Sequence, residues 1–247
     1  MSSYRVGLLV PSSNTTMETE VPEVLRRVAA RTRDRFTFHS NRMRMKTVSA
    51  EELAAMNADA DRAAVELADA AVDVMAYACL VAIMSQGRGA HREIEERLTK
   101  TAKDAGAPVD VVSSAGALVA GLHHLGARKV SIVTPYMKPL TALVADYIEA
   151  EGVEVQDAIS LEVDDNLAVG RLDQTRLPEI AGRLDTRGVD AVVLSACVQM
   201  PSLQAIPAAE NAVDLPVVTA ATATSWQLLN SLGAYNPAPG AGALFRG

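Results

Sequence analysis

Val189-Asp190-Ala191-Val192-Val193-Leu194-Ser195-Ala196-Cys197 repeats the plan of Val72-Asp73-Val74-Met75-Ala76-Tyr77-Ala78-Cys79. Each stretch opens on Val-Asp, continues as an apolar, β-prone run, and ends in alanine followed by cysteine. Short apolar runs of this kind read as strands buried on both faces, as in parallel sheets. The two cysteines are the only ones in 247 residues. One thiol at the same point of each half of a duplicated chain predicts a site between the halves, with two thiols facing one ligand.

The duplication extends outward from both runs. Val6-Gly7-Leu8-Leu9-Val10-Pro11 and Val130-Ser131-Ile132-Val133-Thr134-Pro135 are a second pair of buried-strand runs. Each ends in proline, which has no N–H to give to a ladder and so marks the strand exit. Segments 108–127 and 216–234 each read as a short apolar strand, a small-residue helix and Leu-Gly-Ala. The three landmarks recur in order at offsets of 124, 118 and 107 residues. A long unit present twice is a duplicated domain rather than a solenoid.

Strands and helices alternate between these landmarks. In the first half, strands at 5–10, 36–45, up to Cys79 and 109–112 are separated by helices near 17–30, 50–71 and 90–105. Ser12, Ser13 or Asn14 caps the first helix, and Ser49 with Glu52 forms a capping box for the second. In the second half, strands at 129–134, 153–161, 189–196 and 216–219 alternate with helices at 138–151, 172–187 and 202–212. This order predicts an α/β fold of two pseudo-twofold-related domains, each a four-stranded parallel sheet with helices on both faces. Helices 115–125 and 221–233 carry the chain between domains. The first domain is then 1–114 plus 221–247, with Cys79, and the second is 115–220, with Cys197. Ligands of such sheets bind beyond the carboxyl ends of the strands, where Asn14, Cys79, Tyr136 and Cys197 all fall.

Composition narrows the function. The chain is 49% hydrophobic and 21% charged, enough for a sizeable core. A net charge of −7 argues against a nucleic-acid partner. Arg26, Arg27, Arg31, Arg33 and Arg35 cluster, but Glu18, Glu20, Glu23 and Asp34 surround them, which reads as a solvated helix end. No apolar stretch reaches the ~18 residues of a membrane span, and no signal peptide opens the chain. A cytoplasmic location follows, where thiols stay reduced. The four histidines have no ligand spacing, so no metal is expected.

A thiolate is a strong nucleophile and a thiol a usable acid, and a nearby helix start favours the anion. One buried cysteine alone would read as core. Two at matched strand ends read as chemistry. Asn14 could cap a helix or, at a helix start, help bind an anion. Tyr136 could be core or cleft, and Asn166 looks like a turn residue.

At these positions the chain resembles the maleate cis–trans isomerases of the aspartate/glutamate racemase superfamily. The segments that carry the resemblance are Val10-Pro11-Ser12-Ser13-Asn14-Thr15-Thr16-Met17-Glu18, Tyr77-Ala78-Cys79-Leu80-Val81-Ala82-Ile83, Thr134-Pro135-Tyr136 and Leu194-Ser195-Ala196-Cys197-Val198-Gln199-Met200-Pro201-Ser202. The resemblance implies a cofactor-free enzyme that turns a small dicarboxylate, maleate, into fumarate. Cys79 would be the nucleophile and Cys197 the acid/base. Asn14, Tyr136 and Asn166 would hold the carboxylates, with backbone N–H groups from Cys79 through Leu80 to Val81 and at Val198 and Gln199. A homodimer is the expected assembly. A two-thiol amino-acid or hydantoin racemase is the alternative, and Asp164 or Asp165 could then meet an ammonium group. An arylmalonate-type decarboxylase would keep one active cysteine where this chain has two. A non-enzymatic binding module would make the cysteines incidental.

Overall fold

The computed structural model describes residues 1–246. The first half runs β1 (Ser3–Pro11), α1 (Met17–Thr32), β2 (Arg35–Met43), α2 (Ala50–Asp69), β3 (Val74–Tyr77), α3 (Leu80–Met84), α4 (Ala90–Asp104), β4 (Val111–Ser113) and α5 (Ser114–His124). The second runs β5 (Lys129–Thr134), α6 (Lys138–Ala150), β6 (Glu154–Ser160), α7 (Asn166–Val169), α8 (Leu177–Ala181), β7 (Ala191–Ser195), α9 (Ile206–Val213), β8 (Val217–Thr219) and α10 (Ala220–Ser231).

Each half folds into a four-stranded parallel sheet, ordered β2-β1-β3-β4 in the first and β6-β5-β7-β8 in the second. The α/β reading and the duplicated topology are thus both present. The order reverses between β1 and β3, and again between β5 and β7. The crossovers from β1 and β3 therefore leave on opposite sides and open a crevice at the strand ends. Asn14 follows β1 and Cys79 follows β3; Tyr136 follows β5 and Cys197 follows β7.

The central strands make the core. Val6, Leu8, Leu9 and Val10 of β1, and Val130, Ile132 and Val133 of β5, are fully buried. Gly7 lets α2 close on this layer, because a Cβ there would meet Met75, Val72 and Leu67 at 3.2–3.3 Å. α5 and α10 pack on each other, and α10 also lies against α1, β3 and β4. Among the described residues no helix is long and apolar enough to cross a membrane.

Four local expectations change. The helix expected over 172–187 is a 3-10 turn at Gln174–Arg176 leading into α8. Asp173 delays its start by capping Thr175, and Gly182 stops it. The helix expected at 202–212 starts as a 3-10 turn, Leu203–Ala205, and becomes regular only at Ile206. The N–H groups of Ser202 and Leu203 are held there by a carboxylate from α1. Ser49 does cap α2, accepting from Glu52 N–H at 3.3 Å. The Glu52 carboxylate, however, reaches past Ser49 to the N–H groups of Lys46 and Thr47, so the capping box is only half formed. Finally, Asn166 opens the short helix α7, which Asp165 caps.

Candidate active site

Cys79 stands at the N-cap position of α3, directly after β3. Cys197 stands two residues beyond β7. Both are free thiols, 5% and 4% exposed. They line one small, tight pocket with Asn14, Val81, Tyr136, Asn166, Val198 and Gln199. Pro11, Met45, Val48 and Ala78 complete the wall. Eight of the nine residues expected at the site thus meet there. The ninth, Leu80, buries its side chain elsewhere, and only its backbone at the start of α3 lies beside the thiol. Larger grooves open at the surface nearby, but no cysteine lines them.

Among the described residues no Arg, Lys, Asp or Glu lines the cavity. Lys138 points away, 3.4 Å from Glu162. Asp165 is occupied in capping Ala168 N–H, and Asp164 lines a neighbouring groove. Among the described residues no three His, Cys, Asp or Glu side chains gather as a metal site.

Neutral donors fill the place that charges leave. The Asn14 Oδ1 accepts from Met17 N–H at 3.1 Å, so it does serve α1 as a cap. That bond identifies the other end of the amide as the donor. Asn14 Nδ2 is buried without any partner, an arrangement that costs about 1–3 kcal/mol unless something fills it. Arg42 braces the loop from outside, donating to the Ser12 and Asn14 carbonyls. Asn166 Nδ2 donates to Ser13 Oγ at 2.8 Å, and Ser13 Oγ donates to Met45 carbonyl at 2.6 Å.

Gln199 ties these loops together. Its Oε1 accepts from Thr15 and Thr16 N–H, and its Nε2 donates to the Ser13 and Asn166 carbonyls. All four hydrogen-bonding positions of the amide are used within the protein. What Gln199 presents to the cysteine is its backbone N–H, 3.4 Å from Cys197 Sγ. Gly170 allows this clasp: a Cβ there would lie 2.5 Å from Gln199 Nε2.

Burial dominates the titration of the site. It pushes the Cys79 thiol up to about 12, opposed by a hydrogen bond from Ala82 N–H and reinforced by Cys197. Burial raises Cys197 as well, against hydrogen bonds from Tyr136 and from the N–H groups of Gln199 and Met200. Tyr136 is held well above its ordinary range, first by burial and then by the two thiols. Burial thus favours the protonated form of both thiols, and Cys197 has the more hydrogen-bond donors around its sulfur.

Sequence reasoning overlooked four contributors. Met45 and Val48 arrive from the β2–α2 connection, which carries no motif. Asn57 supports α3 from below, donating to Ala82 carbonyl at 2.8 Å and accepting from the Tyr77 hydroxyl. Glu20, read with the solvated end of α1, is buried instead, because it faces the Cys197 loop.

The arylmalonate decarboxylase family profile matches residues 6–245. A maleate isomerase of Alcaligenes faecalis is 58% identical over the whole chain and 98% of its own length. A crystal structure of a maleate isomerase variant from Pseudomonas putida, solved with maleate, superimposes with a TM-score of 0.97. It is 53% identical and covers 98% of this chain and 97% of its own. A Nocardia farcinica maleate cis–trans isomerase, a cysteine-to-serine variant with a covalently bound succinylcysteine intermediate, gives a TM-score of 0.95 at 48% identity. It covers 99% of this chain and 98% of its own. A chain so matched from end to end belongs to the maleate isomerases of the arylmalonate decarboxylase family.

Proposed function

We propose that the protein isomerises maleate to fumarate without a cofactor, with Cys79 as nucleophile and Cys197 as acid/base. The observation that carries this reading is two buried thiols on one neutral cavity with an unpartnered Asn14 amide donor. A carbon–carbon double bond blocks rotation. Addition of the Cys79 thiolate to one alkene carbon makes the central bond single. The electron pair displaced onto the other carbon delocalises into its carboxylate. The Cys197 thiol then protonates that carbon, giving a succinyl-cysteine adduct that can rotate. Cys197 thiolate takes a proton back, the sulfur–carbon bond breaks, and the trans isomer leaves with Cys79 again a thiolate and Cys197 again a thiol.

The hard step is the charge that develops on the carboxylate. Preorganised neutral donors stabilise such charge, each worth about 3 kcal/mol. Asn14 Nδ2, the Tyr136 hydroxyl, Asn166 and the N–H groups around Leu80, Val81, Val198 and Gln199 are the donors we assign. Ionising Cys79 also has a cost in this buried setting, and Ala82 N–H offsets part of it. The Nocardia relative supports the division of labour, since its succinylcysteine persists in a variant that has lost one cysteine. A racemase would need a group to meet an ammonium, and among the described residues no carboxylate lines the cavity.

We further assign the enzyme to the cytoplasm, where both thiols stay reduced, and to a homodimer. The division into 1–114 with 221–247 and 115–220 is supported by the packing of α10 on β3 and β4. The test is to incubate the protein with maleate and follow fumarate by NMR while mass spectrometry maps the cysteines. Fumarate formation with a transient maleate adduct on the Cys79 peptide is expected. Turnover of D- or L-amino acids with maleate untouched would sink the reading. Sedimentation at working concentration checks the dimer.

A further inference from the structure

Glu20 sits in the first turn of α1, in the first half of the chain, yet all its side-chain hydrogen bonds cross to the second. Its Oε1 accepts from Ser202 N–H at 2.6 Å and Leu203 N–H at 2.8 Å, and its Oε2 accepts from Ser202 Oγ at 3.2 Å. Burial pushes the Glu20 carboxyl up from its ordinary value, while all three partners donate to it and so favour the ionised form, which alkaline pH ensures. The side chain is buried, so the charge is poorly screened by water. The charged groups that act on it are Arg27, on its own helix, and Cys197, on the loop it holds. Arg27 is already engaged by Glu23 and the Pro239 carbonyl.

The other half has no counterpart. Counted from the helix starts, Met17 of α1 and Lys138 of α6, Thr141 stands opposite Glu20. Thr141 is hydrogen-bonded to the Thr134 and Ser160 hydroxyls of its own half, not to the turn after Cys79. The loop that follows Cys197 is thus clamped by a buried carboxylate, and the turn that follows Cys79 is not.

We propose that Glu20 is a positioning residue for the Cys197 loop, and that its charge biases which of the two thiols keeps the proton. The chemistry that rests on the isomerase reading needs Cys79 as the anion and Cys197 as the acid. The donors around Cys197 alone would favour the reverse. A fixed negative charge beside that loop opposes them, since a like charge disfavours a second anion. Burial still dominates both thiols; Glu20 acts on the difference between them.

The test uses the full chain with Glu20→Gln, which keeps the shape and two acceptor bonds but removes the charge. Each protein is labelled with iodoacetamide across the alkaline range, and peptide mass spectrometry reads the two cysteines separately. The Cys197 midpoint should fall by about one unit, a usual size for a protein-induced shift, while that of Cys79 stays in place. With maleate, kcat should fall about tenfold at unchanged KM, the change in protonation that one unit brings. Ser202→Ala removes one hydrogen bond and leaves the charge; it should lower the melting temperature and leave the Cys197 midpoint unmoved. An unmoved midpoint in folded Glu20→Gln overturns the proposal. So does a shift of the same size in Ser202→Ala, a result available even if Glu20→Gln does not fold. Labelling needs no maleate, so a shifted midpoint in a protein that fails to isomerise maleate would sink the isomerase reading alone.

Discussion

The two cysteine loops began as copies and have become different environments. Cys79 is supported from within its own half: Ala82 N–H faces the sulfur, and Asn57 and Tyr77 hold α3 from below. Cys197 is supported from across the molecule. Thr16 donates to the Gln199 carbonyl at 2.7 Å, the Gln199 amide grips Thr15 and Thr16, and Glu20 grips Ser202 and Leu203. Three donors oppose the burial of the Cys197 sulfur, whereas one opposes that of Cys79. The lesson is that pseudo-symmetry places two thiols, while the surroundings decide what each can do.

Replacing the thiols one at a time should expose that difference most strongly. Cys79→Ser should lose at least about 10³-fold in kcat while remaining folded, because a serine hydroxyl supplies far too little anion near neutral pH. A folded variant that kept a tenth of the activity would end the nucleophile assignment. Cys197→Ala should differ in kind: it should accumulate an adduct of substrate mass on Cys79 and release product slowly. Mass spectrometry of the two variants with maleate separates the cases. An adduct on Cys197 in the Cys79 variant would exchange the two roles.

Asn14 tests whether the donors serve the substrate or the fold. Asn14→Ala should lower kcat about 10²-fold, the effect of one lost oxyanion donor. It should also destabilise the protein by about 1 kcal/mol, because the Met17 cap is lost with it. Asn14→Asp keeps the cap acceptor and removes the donor, so activity should fall and the melting temperature should hold. Equal activity in Asn14→Asp and wild type would assign the residue to α1 alone.

A separate effect concerns alkaline stability. Cys79 has an ordinary value of 9.0 and is pushed up to about 12 by burial. The unfolded chain therefore ionises this thiol first as pH rises. The stability it contributes is fully present below pH 9.0 and is lost as pH climbs to about 12. The loss should be on the order of 4 kcal/mol, and Cys79→Ala should flatten that part of the curve. Denaturant titrations of both proteins at several alkaline pH values measure it. Matching slopes would mean that water reaches this sulfur readily.

What could be read from the chain followed chemistry that is local in sequence. The strands at 129–134 and up to Cys79 and Cys197 were legible because burial on both faces leaves an unbroken apolar run. Helix 172–187 was not, because Asp173 and Gly182 truncate it through single contacts that periodicity does not register. The Gln199 clasp joins residues up to 186 positions apart, so nothing near Gln199 announces it. Asn166 came only through family resemblance, since its partner, Ser13, lies 153 residues away. Glu20 was misread because a charge beside arginines looks solvated until the opposing loop is in place.

The neutral wall of the cavity also bears on how substrate arrives. Maleate at neutral pH is a dianion, and the protein carries a net charge of −7. Among the described residues no cation lines the cavity to draw the substrate in, so the long-range field works against encounter. Most enzymes of charged substrates slow as salt screens their attraction. Here added salt screens a repulsion, and kcat/KM should rise with ionic strength up to the range where the Debye length falls to about 8–10 Å. Specificity for a dianion would then rest wholly on short-range donors, and the enzyme would work best in an electrolyte.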